Sequence, residues 1–222
     1  MKKITIAILI LLGSFSMVSA EIGLKIGVSG NLAIFHAEGK DQNNQTAGSD
    51  LIKKEDATGV AGYASFFAEK TLPGPLRRLS IGIDYVPEGL DSEQAENQLY
   101  GRDGDESADT TKENILKVSF EDLTTYYLSL ALTDSIYVKT GIVSVEFITN
   151  ETMGTDSTYP NATIDGSMMG IGFEKNFDSG MFARAEGTYM EFDDVKMTSL
   201  DNTLSMNNLE GASAKISIGK SF

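Results

Sequence analysis

Eight charged residues of this chain lie in or beside segments whose residues alternate as they do in β-strands. Each belongs to the side of an alternating segment that carries glycine, serine or other polar residues, while the opposite side is apolar: Lys25, Arg78, Asp84, Lys139, Glu174, Arg184, Glu186 and Lys215. A charge inside a fold persists only when an opposite charge or hydrogen bonds compensate it. The pattern predicts a ladder of ion pairs with a structural role, and gating as a second role.

The only histidine, His36, stands beside Glu38 near the end of the first strand pattern. A histidine works as a general base when a nucleophile and an orienting acid accompany it. No serine partner is recognisable, and one base alone defines no catalytic constellation. We therefore predict no catalytic residue, no cofactor and no enzyme activity.

Acidic residues are concentrated in 88–113, where nine acids face only Arg102 and Lys112, a net charge of −7. The densest part, 103–109, offers the oxygen ligands that calcium prefers, but its spacing does not match an EF-hand loop. Such a segment is typical of a solvated loop. We predict no metal site, with weak bridging of divalent ions to lipopolysaccharide as the alternative.

The start of the chain has the layout of a secretory signal. Lys2 and Lys3 precede an apolar run over 4–12, and small residues follow up to Ala20. This order predicts a signal peptide over 1–20 that is removed after Ala20, leaving one domain over 21–222. The run is shorter than a membrane-spanning helix requires, which makes an uncleaved anchor the weaker alternative.

Net charge and composition exclude further kinds of partner and site. The net charge is −14 over 222 residues, and a field of this sign repels phosphates, so nucleic acid is not an expected partner. The chain has no cysteine, which excludes disulfides and thiolate metal sites. Stability must therefore come from strand closure and packing.

Eight segments alternate with the period of a β-strand. The clearest are 22–34, 79–85 and 212–222, in which apolar residues alternate with glycine, serine or charged residues. Weaker ones are 58–70, 115–132, 136–148, 163–176 and 181–192. Segment 136–148 is apolar on both sides, which indicates a bulge or a change of exposed face.

The seven connections alternate strictly between long and short. The short ones are the turn-forming segments 72–75, 133–135 and 178–180, and the long ones are 36–57, 88–113, 149–162 and 192–208. All long loops then emerge at one end, which is the layout of membrane barrels. We predict an all-β fold, an eight-stranded antiparallel up-and-down transmembrane β-barrel.

Alternation alone does not separate a membrane barrel from a soluble lipocalin-like one, because only the direction of the apolar face differs. The polar faces here carry Gly27, Gly82, Gly170, Gly172 and Gly219. Small residues suit a narrow, crowded lumen better than a surface in water. We therefore expect the apolar faces to meet lipid.

At this point the chain resembles the small outer-membrane barrels of the OmpA, OmpX and opacity-protein type. The last strand carries Ile216, Ile218 and the terminal Phe222, which look like that family's assembly signal, and 123–128 with 136–141 looks like one of its hairpins. Lys220 departs from the apolar preference of the signal. The resemblance implies the cell outer membrane as location, and lipid, lipopolysaccharide and the outer-membrane assembly machinery as partners.

These observations predict a non-enzymatic outer-membrane barrel that displays long acidic extracellular loops to an unknown partner, with a structural, surface-contact or adhesion role. A small porin-like channel is the first alternative, although eight strands leave an interior only wide enough for side chains. A lipid A-modifying barrel enzyme and a soluble lipocalin-like binder are further alternatives.

Overall fold

The computed structural model describes residues 23–43, 52–91, 95–99, 112–152, 160–199 and 202–222, and most of these lie in antiparallel strands. The strands are β1 (Leu24–Asn43), β2 (Ile52–Thr71), β3 (Leu79–Tyr85), β4 (Leu90–Asp91), β5 (Ala95–Leu99), β6 (Lys112–Ala131), β7 (Ile136–Thr152), β8 (Ala162–Asn176), β9 (Met181–Phe192), β10 (Val195–Ser199) and β11 (Asn202–Ser221). One short 3-10 helix, Gly74–Leu76, lies between β2 and β3.

The sheet closes on itself because the first and last strands pair. β1 pairs with β2 along one edge and with β11 along the other, and every pairing is antiparallel. The ring has eight strand positions, in the order β1, β2, β3, β6, β7, β8, β9 and β11. The short strands add to the rim: β4 and β5 pair with β6, and β10 pairs with β11. The predicted eight-stranded antiparallel barrel is confirmed.

Tight connections lie at one end of the ring, which we name the turn end. They join β2 to β3, β6 to β7 and β8 to β9. In the second, the hydroxyl of Thr133 accepts hydrogen bonds from the backbone N–H groups of Ser135 and Ile136. In the third, Gly180 has a φ of +76°, a conformation that glycine adopts without strain. Both turns therefore have the local chemistry that their sequences predicted.

At the opposite end, the loop end, the strands run further than the sequence patterns predict. β1 continues to Asn43, β2 begins at Ile52 and β11 begins at Asn202, all inside segments expected to be loops. Hydrogen bonds between paired strands satisfy the backbone N–H and C=O groups whether or not one face of the sheet is apolar. The strands can therefore continue beyond the residues that alternate between apolar and polar. The long connections are in this respect shorter than predicted.

An apolar band surrounds the outside of the barrel on the side of the turn end. Val28, Leu32 and Ile34 of β1 are 45%, 60% and 54% exposed, and Ile216 and Ile218 of β11 are 64% and 56% exposed. Their sequence neighbours Ser29, Asn31 and Ser217 are buried in the interior. The apolar faces thus point outward, as expected for a barrel in lipid.

The burial of residues along β7 explains why its sequence is apolar on both sides. Its residues alternate regularly: Ile142 is 62% exposed, whereas Val143, Val145 and Phe147 are at most 3% exposed. The interior face of this strand changes from polar to apolar toward the loop end. β7 pairs with β8 without a register shift, and the shift in its pairing with β6 is a bulge on β6 between Glu121 and Thr124, so β7 has neither the bulge nor the change of exposed face that its sequence indicated. The part of the chain that the structure describes contains no helix long and apolar enough to cross a membrane.

Candidate functional site

The interior on the side of the turn end holds eight charged side chains, which we name the charged layer. Its members are Lys25, Glu69, Asp84, Lys139, Glu174, Arg184, Glu186 and Lys215. They come from seven of the eight strand positions, because each strand turns every second residue inward. Four are cations and four are anions, so the layer is formally neutral.

Arg184 of β9 is the centre of the charged layer. Its two terminal nitrogens donate to the two carboxylate oxygens of Glu69, each at 2.9 Å, and its Nε donates to Glu174 Oε2 at 2.7 Å. The Arg184 and Glu69 side chains are each only 2% exposed. A guanidinium is suited to this position because its fixed fork of donors matches two carboxylates at once.

The remaining cations are each paired. Lys25 Nζ lies 2.6 Å from Glu174 Oε1, which links it to Arg184 through the shared carboxylate. Lys139 Nζ lies 2.5 Å from Glu186 Oε1, and both side chains are 3% exposed. Lys215 Nζ lies 2.5 Å from Asp84 Oδ2. Every charge of the layer therefore has an opposite partner, as burial requires.

Aromatic rings fill the space between these pairs. The Arg184 guanidinium carbon lies 4.9 Å from the ring centroid of Phe182 and 5.2 Å from those of Phe67 and Tyr137. Lys139 Nζ lies 4.0 Å above the ring of Tyr127, whose hydroxyl donates to Glu69. These contacts are cation–π interactions, which are strongest when the cation is shielded from water.

Glycines on the facing strands make room for the four rings. A side chain at Gly27, Gly82, Gly172 or Gly219 would collide with the ring of its partner across the strand pair, Phe67, Tyr127, Tyr137 or Phe182. The glycines on the predicted polar faces therefore serve close approach of aromatic rings. In each of these four strand pairs, a glycine lies directly opposite an aromatic residue.

The structure places seven of the eight charges predicted from the sequence in this layer. Arg78 differs: it lies exposed in the connection before β3, where its backbone carbonyl accepts a hydrogen bond from Ala131. Glu69, which the sequence analysis missed, occupies the centre instead. The predicted set had five cations and three anions, and this imbalance was the signal that an interior acid was absent from it.

A second set of buried residues fills the interior on the side of the loop end, and we name it the apolar layer. Its members are Val86, Leu123, Val143, Val145, Phe147, Ile164, Met168, Met190, Phe192, Met197 and Leu209. All are at most 7% exposed, and Phe147 packs edge-on against Phe120 with 5.6 Å between ring centroids. Sequence analysis did not predict this layer.

A small chamber separates the two layers. Its volume is about 30 Å³, and its lining includes Lys139 and Lys215 from the charged layer and Leu123 and Met168 from the apolar layer. Asn31 also lines it, and its Oδ1 has no hydrogen-bond partner among the described residues. The chamber is large enough for roughly one or two water molecules.

The wall beside the apolar layer changes its pairing between β2 and β3. These strands pair from Thr71↔Ser80 only as far as Phe66↔Tyr85. Beyond that point the Val86 N–H donates to Leu123 of β6, and Pro87 has no N–H to offer β2. β4 and β5 pair with β6, and no pairing of the described strands joins β2 to either of them.

Comparison with known proteins identifies the architecture. The structure is similar to the outer membrane protein OprG from Pseudomonas aeruginosa, with 12% identity over 91% of this chain and 97% of that one and a TM-score of 0.55. It is also similar to the outer membrane protein AlkL in lipid bilayers, with 12% identity over 94% and 95% and a TM-score of 0.53. The outer membrane protease OmpT from Escherichia coli matches at 8% identity over 93% and 99%, with a TM-score of 0.50.

The chain has the fold of the outer-membrane β-barrels. No protein-family model matches the sequence, and no curated protein matches it significantly. The similarity to this group that the sequence analysis inferred from strand pattern is thus confirmed at the level of architecture. With identities this low, the similarity carries the fold and not the activity of OprG, AlkL or OmpT.

Two further candidate sites of the sequence analysis are His36 and the acidic cluster 103–109. His36 Nδ1 is 3.1 Å from the hydroxyl of Thr58 at an exposed position of β1. The acidic cluster 103–109 falls outside the described residues. Within the residues that the structure describes, no group of three His, Cys, Asp or Glu side chains could hold a metal ion.

The final strand carries the predicted assembly residues. Ile216 and Ile218 belong to the outer apolar band. Phe222 is tied to the start of β1: its N–H donates to the carbonyl of Leu24, and its carbonyl accepts from Gly23. These contacts close the barrel at the turn end. Recognition of this strand by an assembly machinery stays a prediction.

Proposed function

We propose that this protein is a non-enzymatic β-barrel of a bacterial outer membrane that is closed to ions and presents its loop end to other surfaces. The observation that carries the proposal is the orientation of the two faces in the turn-end half. There the outside is apolar, while the inside holds eight paired charges. In a soluble barrel the apolar face would point inward, and the charges would face water.

The energetics of the two solvents support a membrane location. An exposed apolar band gains from contact with lipid, and in the turn-end half each strand of the ring is paired on both sides, so no unpaired strand edge meets hydrocarbon there. Outer-membrane lipid and lipopolysaccharide are accordingly the partners proposed for this band. Removal of 1–20 during export and recognition of Ile216, Ile218 and Phe222 by the assembly machinery belong to the same proposal.

Surface contact is proposed for the loop end because its outward charge is mostly acidic. Exposed acids there include Asp165, Glu191, Asp193 and Asp194, while Lys196 is an exposed base. Asp165, Glu191 and Lys196 lie in paired strands. The Asp193 N–H donates to the carbonyl of Asp165, and the Asp194 carboxylate accepts from the Asn208 N–H. A contact role fits such an array, and we propose no catalytic site.

The membrane proposal is tested with a pair of adjacent positions. Ile216 is 64% exposed in the middle of the outer band, whereas Ser217 is 1% exposed inside, where its hydroxyl lies 2.9 Å from that of Ser29. Ile216→Arg is expected to lower the unfolding free energy in vesicles by roughly 2–4 kcal/mol, the cost of arginine near the middle of a lipid face. Ser217→Thr keeps the hydroxyl and is the control with a smaller effect.

Migration in SDS gels before and after heating provides the first measurement, because closed membrane barrels resist SDS until heated. Protease protection in vesicles provides the second. A wild-type protein that stays in the aqueous phase without detergent, or an Ile216→Arg variant as stable as Ser217→Thr, would contradict the membrane location.

A second candidate function rests on the apolar layer and on the break between β2 and β3. Together they would let small apolar molecules pass from the loop end sideways into the membrane, without crossing the charged layer. Locking the wall tests this idea, since the chain has no native cysteine. A disulfide between Ala64→Cys and Pro87→Cys should reduce uptake of an apolar dye by expressing cells, and reduction should restore it. Uptake that is equal in both states would reject lateral passage.

A further inference from the structure

Two lysines face outward at the turn end, on either side of β9. Lys175 of β8 is in register with Ala183 of β9, and Lys220 of β11 is in register with Met181 of β9. Both are exposed, and neither forms an ion pair with a residue that the structure describes. Neighbouring strands lie ~4.8 Å apart, so two flexible lysines separated by one strand can reach a common anionic group.

Other cations extend this basic region around the turn end. Arg77 and Arg78 are exposed in the connection between β2 and β3, which is separated from Lys220 only by β1 and β2. The exposed acidic side chains of the three turns are Asp134 and Asp178. We name Arg77, Arg78, Lys175 and Lys220 the basic rim.

Apolar side chains at the same level indicate the surroundings of the basic rim. Leu76 and Phe177 belong to two of the turns and are 49% and 50% exposed, and Leu132 of the third is 47% exposed. Lys220 Nζ also lies 5.3 Å from the ring centroid of Phe222. Cations beside exposed apolar groups are typical of the boundary between hydrocarbon and headgroups, where the charge reaches outward to phosphate.

The two ends of the barrel therefore differ in the lipid that suits them. We propose that the basic rim binds the phosphate groups of anionic phospholipids in the leaflet around the turn end. This inference rests on the proposed membrane location. The ligand of the basic rim is a lipid and not a free anion, because the exposed Leu76 and Phe177 show that these cations lie at the edge of the apolar band.

The test uses the full chain reconstituted in vesicles of phosphatidylcholine alone or of equal parts phosphatidylcholine and phosphatidylglycerol. The temperature at which the folded band is lost from SDS gels is expected to be higher in the anionic vesicles. The double variant Lys175→Gln/Lys220→Gln should lose most of that increase, since one cation near an anionic surface changes binding about fivefold. Lys196→Gln, a lysine of the loop end, should keep it.

Three outcomes would overturn the inference: no difference between the two lipids, an equal increase in the double variant, or the same increase from inorganic phosphate added to phosphatidylcholine vesicles. High salt should reduce a genuine effect, because it screens exposed charges. Failure of the membrane proposal has a separate signature. A protein that gains no protease protection in either vesicle is not embedded at all, whatever its lipid preference.

Discussion

The charged layer and the apolar layer occupy the same barrel, a few residues apart on the same strands, and solve burial in opposite ways. In the charged layer each polar group has a partner: Lys139 faces Glu186, and Arg184 faces Glu69 and Glu174. In the apolar layer Val143 and Phe147 have only packing contacts with other apolar groups. The comparison shows that one strand can bury either chemistry, provided that its neighbours supply the same kind.

The difference has an energetic consequence. Buried ion pairs gain little over packed apolar residues, but they penalise the loss of one partner severely. Packed apolar residues tolerate small losses and resist new polar groups. The two layers should therefore respond differently to the same kind of substitution.

Arg184→Ala should have the largest effect. Among the residues that the structure describes, it leaves Glu69 with the Tyr127 hydroxyl as its remaining donor, and it removes one of the two cations at Glu174. Breaking a buried pair in this way costs about 3–5 kcal/mol, to be measured as the unfolding free energy in vesicles or detergent. The control is Lys196→Ala, a cation at an exposed position of the loop end, for which little change is expected.

A second variant distinguishes loss of charge compensation from loss of packing as the cause of the lower stability. In Arg184→Met/Glu69→Gln the uncompensated acid at position 69 is removed together with the cation, so part of the lost stability should return. A double variant that is as unstable as the sum of its two single changes would show that charge compensation does not hold this layer together.

Gly82→Ala should come next. The added methyl group would overlap the ring of Tyr127, which is 4% exposed and held by Lys139 and Glu69. Overpacking of this kind typically costs about 1–3 kcal/mol. Gly187→Ala is the control, because nothing lies within 4 Å of that position. Equal heat resistance of the two variants would mean that the ring of Tyr127 is free to move.

A pair of isosteric exchanges compares the apolar layer with the polar lining of the chamber beside it, to which Thr188 and Ser213 belong. Val143→Thr adds a hydroxyl in the apolar layer at a residue that is 0% exposed, and an unpaired buried hydroxyl costs about 1–3 kcal/mol. Thr188→Val removes a hydroxyl that lies 2.5 Å from that of Ser213, at a cost of about 0.5–1.5 kcal/mol. Unfolding free energies decide the matter. A stabilised Val143→Thr variant would mean that the apolar layer contains water.

The sequence allowed much of the barrel to be predicted, because an apolar outer face and a polar interior impose a period of two on each strand. That reasoning failed wherever the constraint ends. Arg78 has the same parity as Ser80 and Asp84, but the strand begins only at Leu79, and parity has no meaning in a turn. Glu69 is the last inward residue of a weak pattern, so only the charge imbalance indicated it.

The apolar layer was missed for a related reason. Sequence alternation reports which residues differ from their neighbours, and Val143 differs little from Ile142 because both are apolar, although Val143 is buried in the interior and Ile142 is exposed on the outside. Only the three-dimensional register separates them. The partner of each interior charge can likewise be identified only from the three-dimensional register, because paired residues such as Lys215 and Asp84 are 131 residues apart in the chain.

The smallest effect concerns conductance, where the two layers act in series. Wild-type protein in a planar bilayer should show at most rare, small events, since Arg184 and its partners occupy the lumen and the apolar layer excludes water beyond them. Arg184→Ala should admit water to the charged layer and increase the number of events. They should remain brief, because Val143 and Phe147 still form a dry constriction. Steady currents are expected only when Val143→Ser and Phe147→Ser are added to Arg184→Ala. Steady channels from Arg184→Ala alone would show that the charged layer is the only barrier, and large steady channels from the wild type would exclude both.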